Sequence, residues 1–183
     1  MPSRQRGYGL VEVAVSLLVL SIAALGLGRL QIAATRMGYE AVQRTEAAAL
    51  AMDLLERLRT NRAAVSAYGV VVIAPGGALQ LPAPSLDCNT NRCSSVQLKD
   101  WDLWQWAQGL SGAGTGGSGG GLMQPTACVV VSGRRVTVEV AWAGFRSLSA
   151  PLLPSLCGPD SGEPGVAGRP RLQMSSWIGE EHS

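Results

Sequence analysis

The sequence has few of the residues from which catalytic sites are usually built. It contains one histidine, His182, which is the next-to-last of 183 residues, and chain ends tend to fray. The close pair Cys88 and Cys93 has no second pair or histidines nearby, as a zinc site would require. We therefore predict that the protein is not an enzyme and has no catalytic residue, no metal and no cofactor.

Lysine is also scarce, because Lys99 is the only one and the positive charge comes from scattered arginines. The formal net charge is +2, and no run of basic residues alternates with aromatic residues. No nucleic-acid partner is therefore indicated. The segment 109–121 has eight glycines in 13 residues and fits a phosphate-binding pattern only because a glycine run fits any glycine pattern. We interpret it as a flexible loop.

Proline is absent between Pro2 and Pro75, and this gap contains one long helical pattern. From residue 10 to residue 27, 14 of 18 residues are Ala, Val, Ile or Leu. The stretch 8–28 would form about 32 Å of helix, which is enough to span a bilayer. From Arg29 onward apolar residues recur every three or four positions. The sequence predicts one helix over 8–64, with residues 8–28 in the membrane.

The flanks of the apolar run predict its orientation. Arg4 and Arg6 precede it and place the N-terminus in the cytoplasm by the positive-inside rule. A removed secretory signal peptide is the alternative, with a loose cleavage motif at residues 21–23. Against it, Glu12 would interrupt the apolar region, and the run continues to Leu27. We expect a retained single-pass anchor with the rest of the chain outside the cytoplasm.

The remainder, 65–183, is expected to be a small head of the α+β class, with an antiparallel sheet and one short helix. Residues 128–131 and 136–142 indicate a hairpin with alternating apolar positions, 69–73 another strand, and 171–178 a last edge strand. Ser94 and Gln97 have the spacing of a capping box before a helix containing Trp101, Trp104 and Trp106. These tryptophans would attach the helix to the core or to a neighbouring protein, and core packing is favoured over a ligand-stacking site.

The four cysteines form an even set, which in an oxidising compartment predicts two disulfides. Three pairings are possible. Spacing favours Cys88 with Cys93, which closes a short loop, and Cys128 with Cys157, which would hold the Pro/Gly-rich segment of the tail against the sheet.

Glu12 is the only charged residue within the apolar run. A carboxylate at membrane depth costs about 2.5 to 3.5 kcal/mol, so such residues usually face a protein partner. A short basic leader ending in Gly7, followed by Tyr8 and then Glu12, resembles the class III signal of type IV pilins and pseudopilins. The resemblance implies that a prepilin peptidase cuts after Gly7, that Tyr8 is N-methylated, and that Glu12 pairs with the terminal amine of a neighbouring subunit.

The sequence also resembles the PilV group of minor pilins, which are known as type IV pilus modification proteins. The resemblance is most specific in residues 7–62 and 88–106. This implies a minor pilin that is stored in the bacterial inner membrane with its head in the periplasm and enters the pilus at or near the tip. Its expected partners are other minor pilins, the major pilin, the prepilin peptidase and the inner-membrane assembly platform. The alternatives are a minor pseudopilin of type II secretion and a monomeric membrane anchor.

Overall fold

The computed structural model describes residues 9–69, 81–112, 121–145, 155–156 and 168–179. The elements in these ranges are α1 (Gly9–Thr60), a 3-10 helix (Arg62–Tyr68), α2 (Ser95–Ser111), β1 (Thr126–Ser132), β2 (Arg135–Ala141) and β3 (Arg171–Trp177). A long N-terminal helix followed by a short helix and a three-stranded antiparallel sheet confirms the predicted α+β class. The chain divides into two units, Met1–Tyr39 and Glu40–Ser183, which we describe separately.

The first unit contains the apolar part of α1. Every side chain from residue 9 to residue 39 is exposed. The hydroxyls of Ser21 and Thr35 donate to the carbonyl oxygens of Leu17 and Gln31, four residues earlier on the same helix. These polar groups are thus satisfied within the helix and require no partner outside it.

From here on, the head means the whole second unit, Glu40–Ser183, and not only the predicted 65–183. Within it, α1 ends at Thr60 instead of the predicted residue 64. Asn61 leaves helical geometry with φ −111° and ψ 52°. Its buried side-chain amide donates to the Tyr68 hydroxyl at 3.0 Å and to the Ser95 carbonyl oxygen at 2.8 Å. The α-helix therefore ends at the point where this amide links the 3-10 helix to the start of α2.

Helix α2 has the predicted capping box. The Ser94 hydroxyl accepts from the Gln97 backbone N–H, and the Gln97 side chain accepts from the Ser94 backbone N–H. The helix ends at Gly112, whose φ of 76° favours glycine. The glycine content predicted a loop that begins at residue 109. This prediction is wrong for residues 109–111, which are the last residues of α2.

A close approach of the backbone explains one glycine beyond α2. A Cβ at Gly121 would lie 2.5 Å from the Gly112 nitrogen, so only glycine fits there without a shift. The Leu122 N–H also donates to the Leu110 carbonyl oxygen at 3.0 Å. The two ends of the segment 113–120, which itself lies outside the described residues, are therefore held together.

The sheet has the order β1-β2-β3, with both pairs antiparallel. Val136, Val138 and Val140 alternate along β2 and are fully buried. They join a core to which α1 contributes Ala47, Ala51, Leu54, Leu55 and Leu58, and α2 contributes Leu103, Trp106 and Leu110. The core thus lies between the sheet and the helices.

The strand predictions have different outcomes. The hairpin and the last strand, β3, are confirmed, although Trp142 follows β2 instead of ending it and is nonetheless buried. The strand predicted at 69–73 lies outside the described residues except for Gly69, so it stays a prediction.

Candidate assembly site

Glu12 lies in the first turn of α1, where the positive end of the helix dipole favours a carboxylate. Its side chain is exposed, and no cation among the described residues forms an ion pair with it. The other two residues of the predicted signal, Gly7 and Tyr8, lie outside the described residues. The geometry of cleavage and methylation therefore stays a prediction.

The surface around and beyond Glu12 is apolar and uncovered. Leu18 is 61% exposed and Leu25 72%, and no residue of the most apolar 18-residue window of α1 is buried. This helix is long and apolar enough to cross a membrane. Its side chains can be removed from water only by lipid or by other protein helices.

Within the head, three hydrogen bonds made by two side chains attach α1 near its entry into the core. The Gln43 side chain donates to the Gly121 carbonyl oxygen at 3.2 Å and accepts from the Met123 N–H at 2.9 Å. The Trp106 indole N–H donates to the Leu50 carbonyl oxygen at 2.9 Å. Trp106 is therefore a core residue that also anchors α1, as its place in the sequence predicted.

A polar network also joins Arg57, near the end of α1, to the buried Asp102 of α2. This carboxylate accepts from Arg57 at 3.2 Å and from the Tyr68 hydroxyl at 2.6 Å. Burial raises the pKa of Tyr68, and its hydrogen bond to Asp102 raises it further. Burial alone would lower the pKa of Arg57, but the hydrogen bonds and charges of Asp53 and Asp102 outweigh it, so the pKa is raised. The network joins α1, the 3-10 helix and α2.

The Cys88–Cys93 disulfide is present, with Cα atoms 5.6 Å apart, which confirms that pairing. Asp87 lies just before the enclosed loop and accepts from the Asn89 N–H at 2.8 Å. No described cysteine is a free thiol, but Cys157 lies outside the described residues. The pairing of Cys128 with Cys157 therefore stays a prediction.

Two buried charged groups in the head were not anticipated from the sequence. Glu139 is 1% exposed, although strand alternation had placed it opposite the valine face, and it accepts from Ser155, the Leu156 N–H and Gln173. Arg169 donates to the Thr126 hydroxyl at 3.1 Å, and burial lowers its pKa. The sequence does contain a sign that Glu139 is buried, because this carboxylate lies between two valines of the strand. Its partners are too remote in sequence to be inferred.

No group of three metal-ligating side chains occurs among the described residues. The buried polar groups instead connect one structural element to another.

Two family models match adjacent segments of the chain. Residues 2–28 match the prokaryotic N-terminal methylation motif, and residues 29–104 match the model described as type IV pilin Tt1218. The chain belongs to the type IV pilins. No curated protein and no solved structure matches it.

This type IV pilin has a pilin's role in a pilus-type system, and its family is structural, not enzymatic. The methylation motif implies processing by a prepilin peptidase. Together with the exposed apolar helix, it also indicates anchoring in the inner membrane.

Proposed function

We propose that this pilin is a minor pilin of the PilV group that takes part in pilus priming and enters the filament at or near its tip. Between assembly events it is stored in the inner membrane, with the N-terminus in the cytoplasm and the head in the periplasm. The Cys88–Cys93 disulfide supports the periplasmic position, because disulfides persist in oxidising compartments. The observation that carries the proposal is the exposed Glu12 at the start of a helix whose apolar surface is uncovered.

The physical argument starts from the cost of that carboxylate. In lipid an unpaired Glu12 costs about 2.5 to 3.5 kcal/mol. Cleavage after Gly7 would leave a terminal amine on Tyr8, which N-methylation leaves cationic. An amine and a carboxylate at the same depth offset each other's desolvation only when they meet. Pairing with the amine of a neighbouring subunit therefore makes Glu12 an assembly residue.

The test replaces Glu12 with Ala in the full chain, in cells that lack the native copy. We expect normal membrane insertion and normal cleavage, because the helix loses only a charge, but poor recovery of the variant in sheared pili and with co-purified pilins. Glu56→Ala is the matched control. It removes an exposed carboxylate from the same helix beyond the apolar segment and should assemble normally.

Unchanged pilus number and unchanged co-purification in the Glu12→Ala strain would refute the pairing role. Mass spectrometry of the same material tests processing. The mature chain should begin at a methylated Tyr8, and Gly7 replaced by a bulky residue should leave the seven-residue leader attached. A chain that begins at Met1 or at residue 24 contradicts the proposed cleavage.

A deletion strain separates pilus from type II secretion. The proposal expects loss of surface pili with secretion intact. Lost secretion with normal pili would identify a pseudopilin instead.

A further inference from the structure

The apolar part of α1 contains two glycines that the fold of a single chain does not explain. Gly26 and Gly28 both lie within α1, and neither has the positive φ that favours glycine. A Cβ added at either position would meet no atom within 4 Å, so no close contact inside the chain requires glycine. Alanine would fit there and would favour the helix. A requirement for glycine at these positions therefore has to come from a second molecule that approaches the helix.

A large exposed side chain lies one helical turn after Gly26. Leu30 is 68% exposed and four residues away, so the two residues lie on the same side of α1. A leucine in a helix also leans toward the turn that precedes it. This side of the helix thus presents a recess at Gly26 and a projection at Leu30.

The proposed pairing of Glu12 has the same spacing. Glu12 comes four residues after Tyr8, whose terminal amine is its proposed partner in a neighbouring subunit. When the carboxylate and the amine meet at one depth, the two parallel helices are shifted by four residues, or about 6 Å. The same shift brings Leu30 of the first subunit level with Gly26 of the second.

Glu12 and Leu30 also lie on the same side of α1. They are separated by 18 residues, which is five complete turns and about 27 Å of helix. A neighbouring helix that runs beside α1 and meets Glu12 therefore also meets Leu30. Small residues let two helix backbones approach closely, so a glycine at the level of Leu30 gives that side chain a place to pack.

We propose that Gly26 of one copy of this chain receives Leu30 of a second copy that is shifted by one helical turn. The contact rests on the proposed pairing of Glu12 and is a second point that fixes the same register. The occupant is a second copy because the glycine and the leucine belong to one sequence and have the spacing of the amine and the carboxylate. Lipid chains would cover both residues but would require neither a glycine nor this spacing.

Gly28 and Ile32 form a matched control pair. They have the same four-residue spacing, and Ile32 is 57% exposed. Each lies two residues after its counterpart in the proposed contact, which is about 200° around the helix. They therefore point away from the side of α1 that carries Glu12.

The first experiment is disulfide cross-linking in membranes from cells that express two differently tagged full-length copies, one with Gly26→Cys and the other with Leu30→Cys. Oxidation should give a product that contains both tags, because the contact brings the two Cα atoms within the roughly 4.4 to 6.8 Å that a disulfide needs. Gly28→Cys with Ile32→Cys should give little or no product. Copies that both carry Gly26→Cys, or both Leu30→Cys, report an unshifted dimer and should also cross-link poorly.

The second experiment exchanges the recess and the projection. Gly26→Leu in both tagged copies should weaken their co-purification about 5- to 150-fold, the range for one overpacked side chain. Gly26→Leu combined with Leu30→Gly should restore most of the association, because a leucine again lies opposite a glycine at the same shift. Gly28→Leu should have no effect. Urea unfolding of the head, followed by tryptophan fluorescence, should be the same in every variant and shows that each one is folded.

The proposal is overturned if Gly26→Cys and Leu30→Cys give no product with both tags, which would leave this side of α1 to lipid or to another protein. It is also overturned if the control pair or the same-position pairs cross-link as well, or if the double exchange does not restore association.

The outcomes also separate this contact from the proposed function. If only the contact is wrong, Glu12→Ala is defective in assembly while Gly26→Leu assembles normally. A cross-link between positions 26 and 30 together with normal pili in the deletion strain would instead contradict the proposed function and leave the contact standing.

Discussion

Between residues 9 and 39, α1 exposes every side chain, whereas between Ala47 and Leu58 the same helix buries five residues completely or nearly so. Both stretches are rich in apolar residues. The difference is that the second stretch packs against a sheet and a second helix from its own chain, while the side chains of the first stretch stay exposed. Similar sequence chemistry thus serves self-contained folding in one part of α1 and association with lipid or protein in the other.

Truncation of one leucine in each stretch gives the largest expected contrast. Leu54 is fully buried, so Leu54→Ala should lower the free energy of unfolding of the head by about 2 to 5 kcal/mol. Leu18→Ala, at an exposed position, should leave it unchanged. All five tryptophans lie within 101–177, so tryptophan fluorescence during urea unfolding in detergent reports on the head alone. A large effect of Leu18→Ala would show that the first stretch also packs against the head.

The two carboxylates that share Arg57 make a comparison within the head. Asp102 is nearly buried, whereas the Asp53 side chain is 48% exposed. Asp102→Ala should cost about 3 kcal/mol because it leaves buried donors without an acceptor. Asp53→Ala should cost about 0.5 kcal/mol or less. Equal effects in the urea measurement would mean that the network does not join the helices as described.

The disulfide should have a somewhat smaller effect. Cys88→Ser with Cys93→Ser opens a loop of about six residues, for which chain entropy gives about 2 kcal/mol. The loss should appear as weaker protection of amide hydrogens in the first turn of α2, because Cys93 precedes the Ser94 cap. Exchange that changes in the sheet but not in α2 would contradict this position of the disulfide.

Replacement of Tyr68 should have a mild effect on the free energy of unfolding, and this effect depends on pH. The folded pKa of Tyr68 is raised above the unfolded value of about 10. Its contribution is therefore fully present below pH 10 and is lost as the pH rises above it, because the unfolded state releases a proton that the folded state keeps. Tyr68→Phe should cost about 1.5 kcal/mol at pH 7 and reduce the loss of stability between pH 9.5 and pH 11. Identical alkaline profiles of the variant and the native chain would contradict this.

The sequence predicted the parts of the fold that depend on local patterns. Alternating valines predicted β2, and the spacing of Ser94 and Gln97 predicted the start of α2. The assembly role of Glu12 stays a prediction. The sequence did not predict features that depend on distant pairs. The break at Asn61 requires Tyr68 and the Ser95 carbonyl oxygen, and the buried state of Glu139 requires Ser155 and Gln173. These partners become neighbours only after folding.

The contact of Gly121 with Gly112 has a practical consequence for following the protein in cells. Since the two ends of the segment 113–120 are already held together, each doubling of its length costs only about 0.6 kcal/mol of closure entropy. An epitope tag or a dye-binding peptide inserted between these ends is therefore expected to preserve the hydrogen bonds of Leu122 to α2 and of Gly121 to α1. The segment is therefore a natural position for a label that reports when and where the subunit enters a filament.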